Sequence, residues 1–93
     1  MKFEVQFVNS TAIRLIAYSE NTLRIIFHTG IAYDYTGVDR QVFENLCSAK
    51  SVGVEFNKIR NNYTYERISI KDSQKFLVST VTQAIKSRLT VEV

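Results

Sequence analysis

Proline is absent from this chain and glycine occurs only three times. So few glycines leave no glycine-rich loop to cradle phosphates, and no linker, internal repeat or low-complexity segment divides the sequence. Cys47 is the only cysteine, which excludes an intrachain disulfide and a cysteine zinc cluster. His28 is the only histidine and has no carboxylate at a readable spacing, so neither a general base nor a metal ligand is expected there. No apolar run is long enough to span a bilayer, and no basic-then-apolar leader with a small-residue cleavage site is present. The expectation is a cytoplasmic protein with no membrane association, no cofactor, no metal site and no catalytic residues.

What is present suffices for one small folded unit covering residues 1–93. Hydrophobic residues make up 45% of the chain, an ordinary value for a globular domain near the lower size limit for an independent core. The net charge of +3 is unevenly placed. Residues 1–46 carry four basic and five acidic side chains, a sum of −1, whereas residues 47–93 carry eight and four, a sum of +4. A mild basic bias suits a nucleic-acid or acidic-protein partner without selecting either.

The strongest pattern lies between Thr22 and Val38. Leu23, Ile25 and Phe27 alternate with Arg24, Ile26 and His28, the period of a half-buried strand. A two-residue Thr29-Gly30 loop would pair His28 with Ile31 and set Asp34 against Ile25 in the core, where an unpaired carboxylate is costly. A three-residue loop with Gly30 left-handed pairs Phe27 with Ile31 instead. Leu23, Ile25, Phe27, Ile31, Tyr33 and Tyr35 then share one face, and Arg24, His28 and Asp34 the other. The second register conflicts less with burial. Upstream, Phe3, Val5 and Phe7 alternate with Lys2, Glu4 and Gln6, and residues 13–18 form a further strand with Ile16 and Tyr18 inward. Residues 19–22 read as its hairpin loop, giving a meander.

Helical spacing begins after Asp39, a plausible N-cap. Val42, Phe43, Leu46 and Cys47 form an apolar stripe expected to pack on the Tyr33/Tyr35 face, with Cys47 as a small buried hydrophobe. A second, shorter helix is capped by Ser51, turns Val52, Phe56 and Ile59 inward, and stops at Asn61-Asn62 through the left-handed conformation. Residues 63–70 lean to strand. A third helix is expected from an Asp72 cap to about Arg88, with Leu77, Val81, Ala84, Ile85 and Arg88 on one face; residues 90–93 read as a final edge strand.

Taken in order, Ser10-Thr11 before Ile13, Tyr18, Leu23-x-Ile25-x-Phe27, Gly30, Tyr33-x-Tyr35, Gly37-Val38, Ala49, Ser51-x-Gly53, Phe56-Asn57, Ile59-Arg60 and Tyr63 resemble the KTSC domain family. Those small domains stand alone in bacterial and phage proteins or at the C-terminus of some lysyl-tRNA synthetases. Asp39 and Thr64 stand where the family often has proline, and Val52 where a basic residue is common. The resemblance covers residues 9–67, which leaves residues 68–93 as a C-terminal extension. It implies a link to RNA through the synthetase context.

The expected fold is therefore α+β: a small antiparallel β-meander sheet of three to five strands packed on one face by two or three helices. Tyr33 and Tyr35, at i and i+2 on a strand, read either as core rings or as a stacking platform for bases. Lys50, Asn57, Lys58, Arg60, Asn62, Tyr63, Tyr65 and Arg67 interleave cations with aromatics, a pattern suited to phosphates and unpaired bases. The same pattern also fits a solvated helix face. Two functions follow as expectations. One is a non-catalytic RNA- or tRNA-associated module. The other is a protein-interaction module pairing with a partner or a second copy through the first strand, the third helix or the tail.

Overall fold

The computed structural model describes residues 2–83 and 88–92, with side chains described for residues 2–80. Its elements are β1 (Lys2–Phe7), β2 (Ile13–Ser19), β3 (Thr22–Phe27), β4 (Ala32–Thr36), α1 (Arg40–Ser48), α2 (Val52–Ile59), a 3-10 turn (Arg60–Asn62), β5 (Tyr65–Ile68), α3 (Ile70–Gln83) and β6 (Arg88–Glu92). The strands form one sheet in the order β5-β4-β3-β2-β1-β6, with every neighbouring pair antiparallel. The fold class is α+β. The sheet has six strands where three to five were expected, because the meander runs through five and β6 returns to lie beside β1.

The β3–β4 turn has three residues. Phe27 N–H donates to Ile31 O at 2.9 Å, Gly30 N–H donates to Phe27 O at 3.0 Å, and Gly30 has φ +93°. Pairing continues as Ile25 with Tyr33 and Arg24 with Asp34. Glycine is needed here because a side chain at this φ would clash with the backbone. The β2–β3 turn needs the same region twice: Glu20 (φ 44°) and Asn21 (φ 65°) connect the Ser19–Thr22 pair. This is the two-residue turn whose twist matches the flanking strands.

Both faces of the sheet are buried. One core holds Ile13, Ile16, Tyr18, Leu23, Ile25 and Tyr35 beneath Phe43 and Leu46 of α1 and Val52 and Phe56 of α2. The other holds Phe3, Val5, Leu15, Ala17, Ile26 and Ala32 beneath Phe76 of α3. Two helices thus cover the expected face, and the third covers the opposite one. The reason lies in Ile26 and Ala32, apolar residues on the side assigned to Arg24 and Asp34, which would otherwise face water. A bulge between Ile13 and Leu15 lets Ile13 and Ile16 share the first face while Leu15 takes the second. With both sides covered, β2 reads as a nearly continuous apolar run.

Arg24 makes the second core unusual. Its guanidinium lies 4.4 Å from the Phe3 ring centroid and 4.8 Å from that of Phe76. Its Nε and Nη2 donate to the two Asp34 carboxylate oxygens at 2.8 and 3.0 Å. A charge is tolerated here because it is forked to a carboxylate and packed against two ring faces.

Helix ends depart from expectation in four places. Asp39 occupies the N-cap position of α1, but its side chain makes no capping bond; Arg40 instead ties the helix start to β1 through Glu4. Ser51 does cap α2, accepting from Val54 N–H at 3.3 Å. Asn61 and Asn62 end that helix as a 3-10 turn, with no positive φ at either. For α3 the cap is Ser69, whose Oγ accepts from Asp72 N–H at 3.1 Å and whose carbonyl accepts from Ser73 N–H. Asp72 is therefore in the first turn, where its charge favours the helix's positive end. The buried face of α3 is Ser73, Phe76 and Thr80, with Leu77 partly covered. Arg88 begins β6 rather than ending α3. The side chain of Val81 and residues 84–87, on which the rest of the expected stripe falls, lie outside the described residues and side chains. The tail does form an edge strand, two residues earlier than expected.

Replacing Asp34 by Ala leaves the Arg24 guanidinium against two rings without its carboxylate partner. The variant is expected to lose about 1.5–3 kcal/mol in urea unfolding. The double variant Arg24→Met/Asp34→Leu is expected to recover most of that loss. No recovery would mean that the charge itself, not the volume packed against the rings, holds this core.

Candidate nucleic-acid interface

At the β4–β5 end of the sheet, the face covered by α2 runs out beyond the helix into a cluster of aromatic rings. Tyr35 is 3% exposed, and its ring meets Phe56 at 5.4 Å and 78°. Tyr33 is half-buried, edge-on to Phe27 at 6.3 Å. Tyr65, paired across from Tyr35, packs on both: 5.3 Å and 89° to Tyr33, 5.6 Å and 41° to Tyr35. It is nevertheless 63% exposed. The two tyrosines singled out on β4 therefore support the cluster, and Tyr65 is the ring that solvent reaches. Tyr63 is partly buried against the α1/α2 core, which leaves its ring less open than that of Tyr65.

Two cations adjoin these rings. Arg60, at the end of α2, holds its guanidinium 5.5 Å above Phe56 and donates to Asn57 Oδ1 at 3.4 Å. Arg67 is exposed and pairs across from Tyr33, so it shares the face of Tyr65. Burial pushes the Tyr35 hydroxyl above the usual tyrosine value of 10.0, and the nearby positive charge of Arg60 partly offsets the rise. Burial likewise raises Tyr18, whose hydroxyl donates to Val38 O at 2.6 Å and whose ring stacks on Phe43 at 5.3 Å.

The remaining predicted residues separate from this end. Lys58 lies 3.8 Å from Glu55 on the outer side of α2. Lys50 and Asn57 border a cavity of about 390 Å³ against the loop of residues 9–12, and only Asn57 touches both surfaces. That loop is a feature sequence reasoning missed. Ser10 Oγ accepts from the Ala12 and Ile13 amides at 3.2 and 3.1 Å. His28 Nε2 lies 2.8 Å from Ser10 O; a carbonyl only accepts, so the ring nitrogen donates. The signal was present in Ser10-Thr11 and Ser51-x-Gly53, too short to be distinctive and too far apart in sequence to be linked. His28 has a structural partner, and among the described residues no three His, Cys, Asp or Glu side chains converge on a metal site.

The sheet edges bear on partner binding. β1 lies between β2 and β6, so it is not the free edge expected of it. On the far side, Thr36 N–H donates to Thr64 O at 3.0 Å. Hydrogen-bonded and open pairs alternate along an antiparallel ladder. Glu66 and Ile68 thus turn their amides toward β4, and Tyr65 and Arg67 turn theirs outward.

These features describe a small α+β domain with a meander sheet and an aromatic face ending in an open strand. The sequence profile of the KTSC domain matches residues 9–65, and the chain belongs to the KTSC domain family. It is similar to the crystal structure of a KTSC domain protein from Yersinia pestis, at 32% identity and a TM-score of 0.66, over 70% of this chain and 96% of that one. No curated protein matches the chain. Among the described residues no helix is long and apolar enough to cross a membrane.

An unfolded tyrosine ionises at its ordinary value, whereas buried Tyr18 and Tyr35 keep their protons higher. Ionisation therefore favours unfolding, and stability is expected to hold below pH 10.0 and to fall above it. Tyr35→Phe is expected to make that fall shallower in urea melts taken across the alkaline range. An unchanged slope would show that Tyr35 does not contribute to it.

Proposed function

We propose that this KTSC domain is a non-catalytic, RNA-associated accessory module whose contact surface is the Arg60, Tyr65 and Arg67 end of the sheet. The observation that carries the reading is an exposed, ring-supported tyrosine with Arg67 two residues along its own face and Arg60 over Phe56 of the same ring cluster. Cations neutralise phosphates, and an aromatic face adds contact with a base that carries no charge. The synthetase context of the family and the +4 sum of residues 47–93 support it. Lys50, Asn57 and Lys58 become a secondary flank, since they lie toward or beyond the other side of α2.

A second reading, a protein-interaction module, is favoured by the outward-facing amides of Tyr65 and Arg67, which suit an added strand. Bulk tRNA titrated at low and moderate salt separates the two. Saturable binding that weakens as salt rises, and that loses strength and salt dependence in Arg60→Ala/Arg67→Ala, is expected for the RNA reading. No binding at low salt would contradict it. A concentration-dependent dimer by analytical ultracentrifugation would favour strand addition.

A further inference from the structure

Building on the RNA reading, we propose that Tyr65 takes an unpaired base, so that the ligand of this surface is single-stranded rather than duplex RNA.

The ring is set before any ligand arrives. Tyr33 meets it at 89° and Tyr35 at 41°, with centroids 5.3 and 5.6 Å away. Little side-chain freedom remains to be lost on binding, which favours affinity. Despite that support the side chain is 63% exposed, and β5 is the outermost strand on its side of the sheet. A flat ring can therefore approach without meeting a further strand.

The neighbouring groups suit a nucleotide rather than a bare ring. Arg67 lies two residues along the same face, about 6.6 Å by strand rise, within reach of a phosphate next to a base stacked on Tyr65. The outward N–H and C=O groups of Tyr65 and Arg67 offer a donor and an acceptor at each residue to base edges or a 2′-hydroxyl lying beyond the sheet. Arg60 stands across the cluster over Phe56, a second place for backbone charge.

Cations alone do not select strandedness, because a duplex presents phosphates as readily as a single strand. The ring does select it. In an A-form helix the base faces are covered by their neighbours and the major groove is too deep and narrow for side chains, so a stacking residue finds no partner except at an end. Stacking on an aromatic side chain corresponds to about 5- to 150-fold in affinity per base.

The test uses the full chain with a 20-nucleotide RNA carrying one 2-aminopurine, and the same RNA annealed to its complement as a blunt duplex. The expected result is tighter binding of the single strand, with 2-aminopurine fluorescence quenched on binding. Tyr65→Ala and Tyr65→Leu should each weaken single-strand binding about 5- to 150-fold, abolish the quench and weaken duplex binding far less, since only its two terminal base faces are open, while Tyr65→Phe keeps both affinity and quench. Circular dichroism confirms that the variants fold, and Tyr65→Leu keeps apolar bulk where Tyr65→Ala does not. Equal affinity for both RNAs, or variants that weaken neither, would overturn the stacking role while leaving the RNA reading in place. Binding of neither RNA at low salt would overturn the RNA reading and this inference with it.

Discussion

The left-handed Gly30 in the β3–β4 turn constrains more of this molecule than any other single residue. Its three-residue loop pairs Phe27 with Ile31, and a one-residue slip would exchange the two faces of β4. In the observed register Asp34 meets Arg24 and not Ile25. Tyr33 and Tyr35 fall on the face shared with α2, where Tyr65 of the next strand can rest on them. One turn thus decides both the ion pair inside the molecule and the aromatic cluster at its surface.

The register also leaves an apolar second face, which the C-terminal extension covers. The family match ends at residue 65, while α3 and β6 lie beyond it. α3 places Phe76 edge-on to Phe3 at 5.2 Å, with Arg24 packed against both rings, and fastens to the turn through Ser73 Oγ donating to Gly30 O at 2.8 Å. β1 and β6 widen the sheet beneath it. The extension is thus part of the protein's core, bonded to the same turn that orders the family's own portion.

Much of this was legible in the sequence because it is local. Alternation in residues 23–27 and the cost of burying Asp34 favoured the three-residue turn at Gly30, and the spacing of Phe43, Leu46, Val52 and Phe56 identified the helix faces. What was not legible depends on distant partners. Ile26 and Ala32 looked like isolated exceptions on a polar face until Phe76, more than 40 residues away, supplied their cover. The α3 cap went to Asp72 instead of Ser69 because both residue types cap helices and only the bonds distinguish them. At the candidate site, Tyr-x-Tyr on β4 read either as core rings or as a platform, and Tyr65 stood among the residues suited to unpaired bases; pairing with β5 buries Tyr35 and leaves Tyr65 outermost. No periodicity within one strand reveals which strand will form the edge.

Exposure, ring support and positive charge coincide at one end of the sheet, while Lys50 and the loop of residues 9–12 form a separate surface on the far side of α2. The most direct measurement is an amide NMR titration of the isotope-labelled chain with a short single-stranded RNA. The account predicts that the resonances that move belong to Tyr33, Arg60, Tyr65, Arg67 and their immediate neighbours. Shifts centred on residues 9–12 and 50–54, or on the outer face of α3, would contradict it.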